Sequence, residues 1–153
     1  MGIALLTGCD NGDEANGGAG MVGFIVKKAT NKILVVAADP LRERHYDAVW
    51  VRRSDHEELL IGQKVEVFFK EDEIETSNPG QGTARRIRVL EAETSGSSRL
   101  KPEEAIRSAL NRVAYWEIPV ITKAEYISAD HRWIVTMFDG TNAAEEVQII
   151  VKE

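Results

Sequence analysis

Between Met21 and Glu91 the apolar residues come in five or six short runs broken by turn-forming residues, with no helical period longer than a turn. A chain patterned in this way has few ways to fold. Each strand edge left open invites unwanted pairing, and a short set of strands hides its edges by curling on itself. The expectation is a small closed or partly closed barrel of the OB type over residues 21–93.

The runs can be placed one by one. Met21-Val22-Gly23-Phe24-Ile25-Val26-Lys27-Lys28 reads as a strand and Ala29-Thr30-Asn31-Lys32 as a turn. Ile33-Leu34-Val35-Val36-Ala37-Ala38 is too continuously apolar for a half-exposed strand and reads as the central one. Asp39-Pro40 ends it, because proline lacks the N–H that a ladder needs. Tyr46-Asp47-Ala48-Val49-Trp50-Val51 is a third strand. Gln63 to Phe69 alternates, with Val65, Val67 and Phe69 on one face and Lys64, Glu66 and Phe68 on the other. Lys70-Glu71-Asp72-Glu73 is expected to form a solvated hairpin tip leading to Ile74-Glu75-Thr76-Ser77. Asn78-Pro79-Gly80 breaks the chain, and Thr83 to Glu91 is the last strand.

The order Gly23-Phe24-Ile25-Val26-Lys27-Lys28, Ile33-Leu34-Val35-Val36, Tyr46-Asp47-Ala48-Val49-Trp50, Ile61-Gly62-Gln63-Lys64-Val65-Glu66-Val67 and Ser77-Asn78-Pro79-Gly80-Gln81-Gly82 resembles the YobA-like domain. That is an uncharacterised family of Gram-positive bacteria, often found in predicted lipoproteins. The resemblance implies a localisation and carries no catalytic or binding residues.

Glu93-Thr94-Ser95-Gly96-Ser97-Ser98 is a small-residue stretch, and residues 94–101 read as a linker. Beyond it the period changes. Pro102 suits a first helical position, Glu103 and Glu104 suit the positive end of the helix dipole, and Ile106, Ala109, Leu110 and Val113 share one helical face. One amphipathic helix from Pro102 to Ala114 is followed by three strands, Ile118 to Ile127, Trp133 to Phe138 and Glu146 to Val151. The whole is thus α+β and mostly β: an OB-like barrel, then a helix packed on a three-stranded antiparallel meander over 102–153. The second unit resembles in topology the PepSY-like and cystatin-like units of bacterial envelope proteins. Each unit is expected to unfold cooperatively when made alone.

Ahead of the barrel, Ile3-Ala4-Leu5-Leu6-Thr7-Gly8-Cys9 is an apolar run ending in a small residue before the only cysteine of the chain. Leu6-Thr7-Gly8-Cys9 resembles the bacterial lipobox, in which cleavage before Cys leaves an N-terminal cysteine that carries acyl chains. Residues 1–8 then read as a shortened lipoprotein signal remnant, since the run is briefer than a full apolar signal region and no basic segment precedes it. Residues 9–20, rich in Gly, Asn and Asp, read as a flexible tether. The lone cysteine excludes an internal disulfide and a cysteine-based metal cluster within one chain. The expected location is extracytoplasmic, on a membrane surface through lipid on Cys9; without the lipid the protein would be secreted or cytoplasmic.

Charge narrows the partners. Residues 21–93 hold 12 Lys+Arg against 13 Asp+Glu and residues 99–153 seven against nine, so no segment has the basic surplus that neutralises nucleic-acid phosphates. His45, His56 and His131 lack a second histidine three or four residues away, and no metal or other cofactor is expected. Ser54-Asp55-His56 has the residue types of a hydrolytic triad, but neighbours in sequence point in different directions. Glu71, Asp72, Glu73 and Glu75 lack the alternation of a calcium loop, and Gly80-Gln81-Gly82 lacks the Lys-Ser/Thr of a phosphate loop.

Two features stand out. Arg86 and Arg88 share a strand face opposite Ile87 and Val89, and with Lys27, Lys28, Arg52 and Arg53 could make a positive patch for lipid headgroups or wall polymer. Among Phe24, Tyr46, Trp50 and Phe68, Phe24 and Trp50 are expected in the core, while Phe68 falls on the polar face of its strand. The leading functional expectation is a non-enzymatic binding or interaction module of the cell envelope, its partner an envelope protein or an anionic wall polymer. A regulator or inhibitor of an envelope peptidase, and an enzyme with an unrecognised site, are the other two readings.

Overall fold

In the computed structural model, which describes residues 20–53, 58–75, 79–92, 97–142 and 145–153, five strands close on themselves. Strand β1 (Met21–Lys28) pairs antiparallel with β2 (Lys32–Ala37), and β2 with β3 (Ala48–Arg52). Strand β4 (Lys64–Glu75) pairs antiparallel with β1 and with β5 (Gly80–Leu90). The start of β5 runs parallel to β3, which closes the barrel in the order β1-β2-β3-β5-β4. That parallel pair makes the strands a Greek key of the OB type and removes the open edges. The lipobox residues Leu6, Thr7, Gly8 and Cys9, most of the tether, the start of the linker and the Ser54-Asp55-His56 loop lie outside the described residues.

The barrel is filled by Ile25, Ile33, Val35, Val49, Val51, Val65, Val67, Phe69, Ala84 and Ile87, with Leu59 entering from the connection before β4. The alternation read in β4 is therefore the inward face. Gly23 is buried where its Cβ would meet the Val36 carbonyl and lie 2.9 Å from Val35 Cγ1, so β1 and β2 approach more closely there than a side chain allows.

Strand β2 is apolar on both faces because both faces are covered. Leu34 and Val36 point out of the barrel, and with Val26 and Ala48 they are buried against helix α1 (Pro102–Arg112) and a second sheet. That sheet is β6 (Pro119–Ile127), β7 (Arg132–Asp139) and β8 (Val147–Lys152), antiparallel in the order β6-β7-β8. Ala105, Ile106, Ala109 and Leu110 form the buried stripe of α1 that the helical period predicts. The Lys101 amide donates to the Glu104 carboxylate at 2.8 Å, satisfying a donor at the helix start. Arg107 Nε donates to the Ile61 carbonyl at 2.7 Å, and Arg112 Nη1 to the Ile150 carbonyl at 2.6 Å, so α1 is bonded both to the barrel side and to the sheet.

The α+β, mostly β fold agrees with the sequence reading, and two local expectations need correction. Residues 70–73 do not form a hairpin tip: β4 runs through them to Glu75, paired at Ile74↔Gly82 and Glu75↔Gln81, with the register shifted between Phe69 and Ile74. An acidic run reads as a turn, but residues 70–73 form an irregular stretch of the strand opposite Thr83, with β5 pairing on both sides of it at Phe69 and at Ile74 and Glu75. Phe24, Tyr46 and Trp50 are not inside the barrel. They pack half-buried on its outside, against the cluster shared with α1 and the second sheet, where Tyr46 meets Phe138 edge to face at 5.8 Å.

The end of the chain is tied to the linker. Trp133 is 2% exposed and its indole N–H donates to Ser98 Oγ at 2.9 Å. Ser98 Oγ lies 2.8 Å from Glu153 Oε2, the Arg99 amide donates to the same carboxylate, and Tyr126 OH is 3.4 Å from its other oxygen. The Ser98 hydrogen bond, with those from the backbone, holds the Glu153 carboxyl below its ordinary pKa. A depressed carboxyl pKa contributes stability that is present above the unfolded value and is lost as pH falls through the folded one. The Trp133 indole N–H resonance is therefore expected to titrate with a midpoint below the usual glutamate range, and to stay flat over that range in Glu153→Gln. An unchanged profile in the variant would show that another group senses the acid.

Candidate functional site

A row of outward side chains crosses three barrel strands: Phe24 of β1 is paired with Lys64 of β4, and Lys64 with Leu90 of β5. This row forms one wall of a cleft of about 570 Å³. The first turn of α1 contributes Pro102, Glu103 and Ile106 beside the row, and β6 contributes Ile121, Thr122, Lys123 and Ala124. The volume falls within the ~300–1,000 Å³ typical of ligand sites, which often lie where two packed units meet.

Each wall is held by local chemistry. Gly62 brings the barrel chain against α1: its φ is +100°, and a Cβ there would meet the Glu103 carbonyl oxygen and lie 3.1 Å from the Arg107 nitrogen. Gln63 Oε1 accepts the Leu60 amide at 2.9 Å, which fixes the approach to β4. In β6 the register shifts between Ile121 and Lys123, and Thr122, the residue passed over, donates its hydroxyl to the Thr136 carbonyl at 3.1 Å. Lys64, Lys101 and Lys123 line the cleft together with Asp39, Glu91 and Glu103, so both signs of charge are present. The Lys64 ammonium lies 5.8 Å from the Phe24 ring centroid, and the exposed Lys123 is 3.3 Å from Glu125. Outside the cleft lining, burial raises the Tyr46 pKa, with Glu146 and the cleft residue Asp39 adding to the effect, so its hydroxyl stays a proton donor.

The residues singled out from sequence are only partly brought together. Arg86 and Arg88 are exposed on β5 with Ile87 turned inward. Arg88 Nη2 is 2.5 Å from Glu66 Oε1 across the ladder, so a carboxylate offsets that charge. Phe68 does project from the outer face, but it is 1% exposed, and its expected availability for binding is corrected. The guanidinium of Arg86 lies 4.6 Å from its ring centroid and that of Arg85 5.8 Å, and Gly20 packs against its edge. Arg85 joins this face because the register shift between Phe68 and Phe69 turns two successive arginines outward, which strict alternation does not predict. Lys27 and Lys28 pair with Leu34 and Ile33 on the β1–β2 ladder, whereas Arg86 and Arg88 pair with Phe68 and Glu66 on the β4–β5 ladder, so no single strand row carries these four. Among the described residues no His, Asp or Glu cluster could hold a metal ion, and no helix is long and apolar enough to cross a membrane.

The cleft itself escaped the sequence reading. Its walls come from segments far apart in the chain, and the linker between them reads as a separation. A usable signal was the excess apolarity of Ile33-Leu34-Val35-Val36, which requires a partner on the outer face of the barrel.

Residues 22–91 match the family described as "Protein of unknown function (DUF3221)". The match begins one residue into β1 and ends one residue past β5, so it covers the barrel and not the helix or second sheet. Neither the curated proteins nor the solved structures gave a match.

Proposed function

We propose that this chain is a non-enzymatic interaction module of the bacterial cell envelope, held to a membrane surface by lipid on Cys9. The observation that carries the reading is Leu6-Thr7-Gly8-Cys9, the end of an apolar run closed by the only cysteine, placed eleven residues before Gly20, where the described chain enters the barrel. At ~3.3–3.6 Å per residue that eleven-residue span reaches at most about 40 Å, which keeps the folded part close to the bilayer. The resemblance of residues 21–93 to the YobA-like domain of Gram-positive lipoproteins supports the same placement. A cleft lined by apolar groups and charges of both signs supports a binding role, with an envelope protein as the partner.

Expressed behind a complete lipoprotein signal peptide in a Gram-positive host, the wild type is expected in the membrane fraction and Cys9→Ala in the soluble fraction or medium. Identical fractionation of the two as soluble protein would overturn the anchoring.

A further inference from the structure

Strand β6 is an edge of its sheet: β7 lies on one side, and among the described residues no strand pairs on the other. Ile121 to Ala124 line the cleft, around the register shift at Thr122. Among the described residues, the inter-strand pairing of Pro119–Ile127 runs to β7 alone. An exposed row of main-chain donors and acceptors is the chemistry that another extended chain satisfies.

We propose that β6 receives an extended polypeptide segment of a partner protein as an added strand, with its side chains against Phe24, Leu90 and Ile106. The proposal rests on the interaction-module reading and names the class of partner. The cleft favours a polypeptide over a polyanion, because Asp39, Glu91 and Glu103 stand beside Lys64, Lys101 and Lys123 and would repel a run of negative charge. It also favours a single strand over a second sheet. The barrel wall faces β6 across the cleft, where a second sheet would meet it.

The test uses the full chain in solution and phage-displayed random octapeptides selected on it, the best being synthesised and N-methylated one residue at a time. Strand addition predicts that methylation weakens binding about tenfold or more at alternate residues and little at those between, since only every second amide faces β6. The β6 amides should become protected from hydrogen exchange when the peptide binds, and Leu90→Trp, whose fold is checked by circular dichroism, should lose the peptide. A methylation scan without a two-residue period would overturn the proposal, as would peptides that leave β6 unprotected. So would the absence of any octapeptide binding tighter than ~1 mM, or inorganic polyphosphate displacing the peptide from the cleft. Peptide binding is read without lipid or membrane, so failure of the Cys9 anchor and failure of strand addition are separable.

Discussion

A fragment comprising residues 20–92 is expected to lose the stability of the full chain, with a melting midpoint lower by at least ~10 °C or no cooperative transition at all. The barrel interior would be complete, but its outer face would not. Val26, Leu34 and Val36, at 4%, 1% and 1% exposure, would be returned to water together with Ala48, and the half-buried Phe24, Tyr46 and Trp50 would lose their cover. Burial of one Val or Leu side chain contributes ~1.5–3 kcal/mol, so the first three alone amount to roughly 6 kcal/mol, comparable to the ~5–15 kcal/mol of a whole domain. The shared cluster thus reverses what the small-residue linker suggests about the separate halves. Thermal and urea unfolding followed by circular dichroism decide the point, and a fragment that melts cooperatively at the midpoint of the full chain would show that the outer face contributes little.

Gly62→Ala is expected to destabilise the protein by about 2–4 kcal/mol, the range of backbone strain combined with displacement of a packed element. At φ +100° an L side chain is strained whatever space surrounds it. Here there is none, because the added Cβ would lie on the Glu103 carbonyl and 3.3 Å from Arg107 Cβ. Relief requires α1 to move off the barrel, which strips the Ile61 carbonyl of Arg107 and opens the cluster around Ile106 and Leu110. Urea unfolding measures the loss. Lys123→Ala, whose side chain is 65% exposed, serves as the comparison and should stay within ~0.5 kcal/mol of wild type. A Gly62→Ala midpoint equal to that of Lys123→Ala would mean that the helix is not seated by this contact.

Local periodicity explains which parts of the fold were legible. The period-2 runs placed the barrel strands, and Val65, Val67 and Phe69 do face inward as their alternation requires. The stripe Ile106, Ala109, Leu110 and Val113 located α1, and all four are buried. The acidic run after Phe69 misled, because the strand is taken up again at Ile74 and Glu75 by what β5 offers opposite and not by the preference of residues 70–73. Arg85 was passed over for the same reason: one irregular step in the ladder moves a residue to the other face, and its position is set by two strands together.

What this sequence determined by itself is the kind of elements, their order and the faces that must leave water, since these follow from side-chain period and turn chemistry along one stretch of chain. Even the need for a partner on the outside of β2 was written there, in an apolar run with no polar face. Which partner fills that need was decided only by the tertiary structure. The answer combines residues of β1, β2 and β3 with α1 and the second sheet, and the energy of that contact belongs to surfaces matched across the fold. The cleft is a by-product of the same docking. It exists because a helix seated at Gly62 and an edge strand cannot both close against the curved wall of a barrel, a geometric fact that no local pattern of residues encodes.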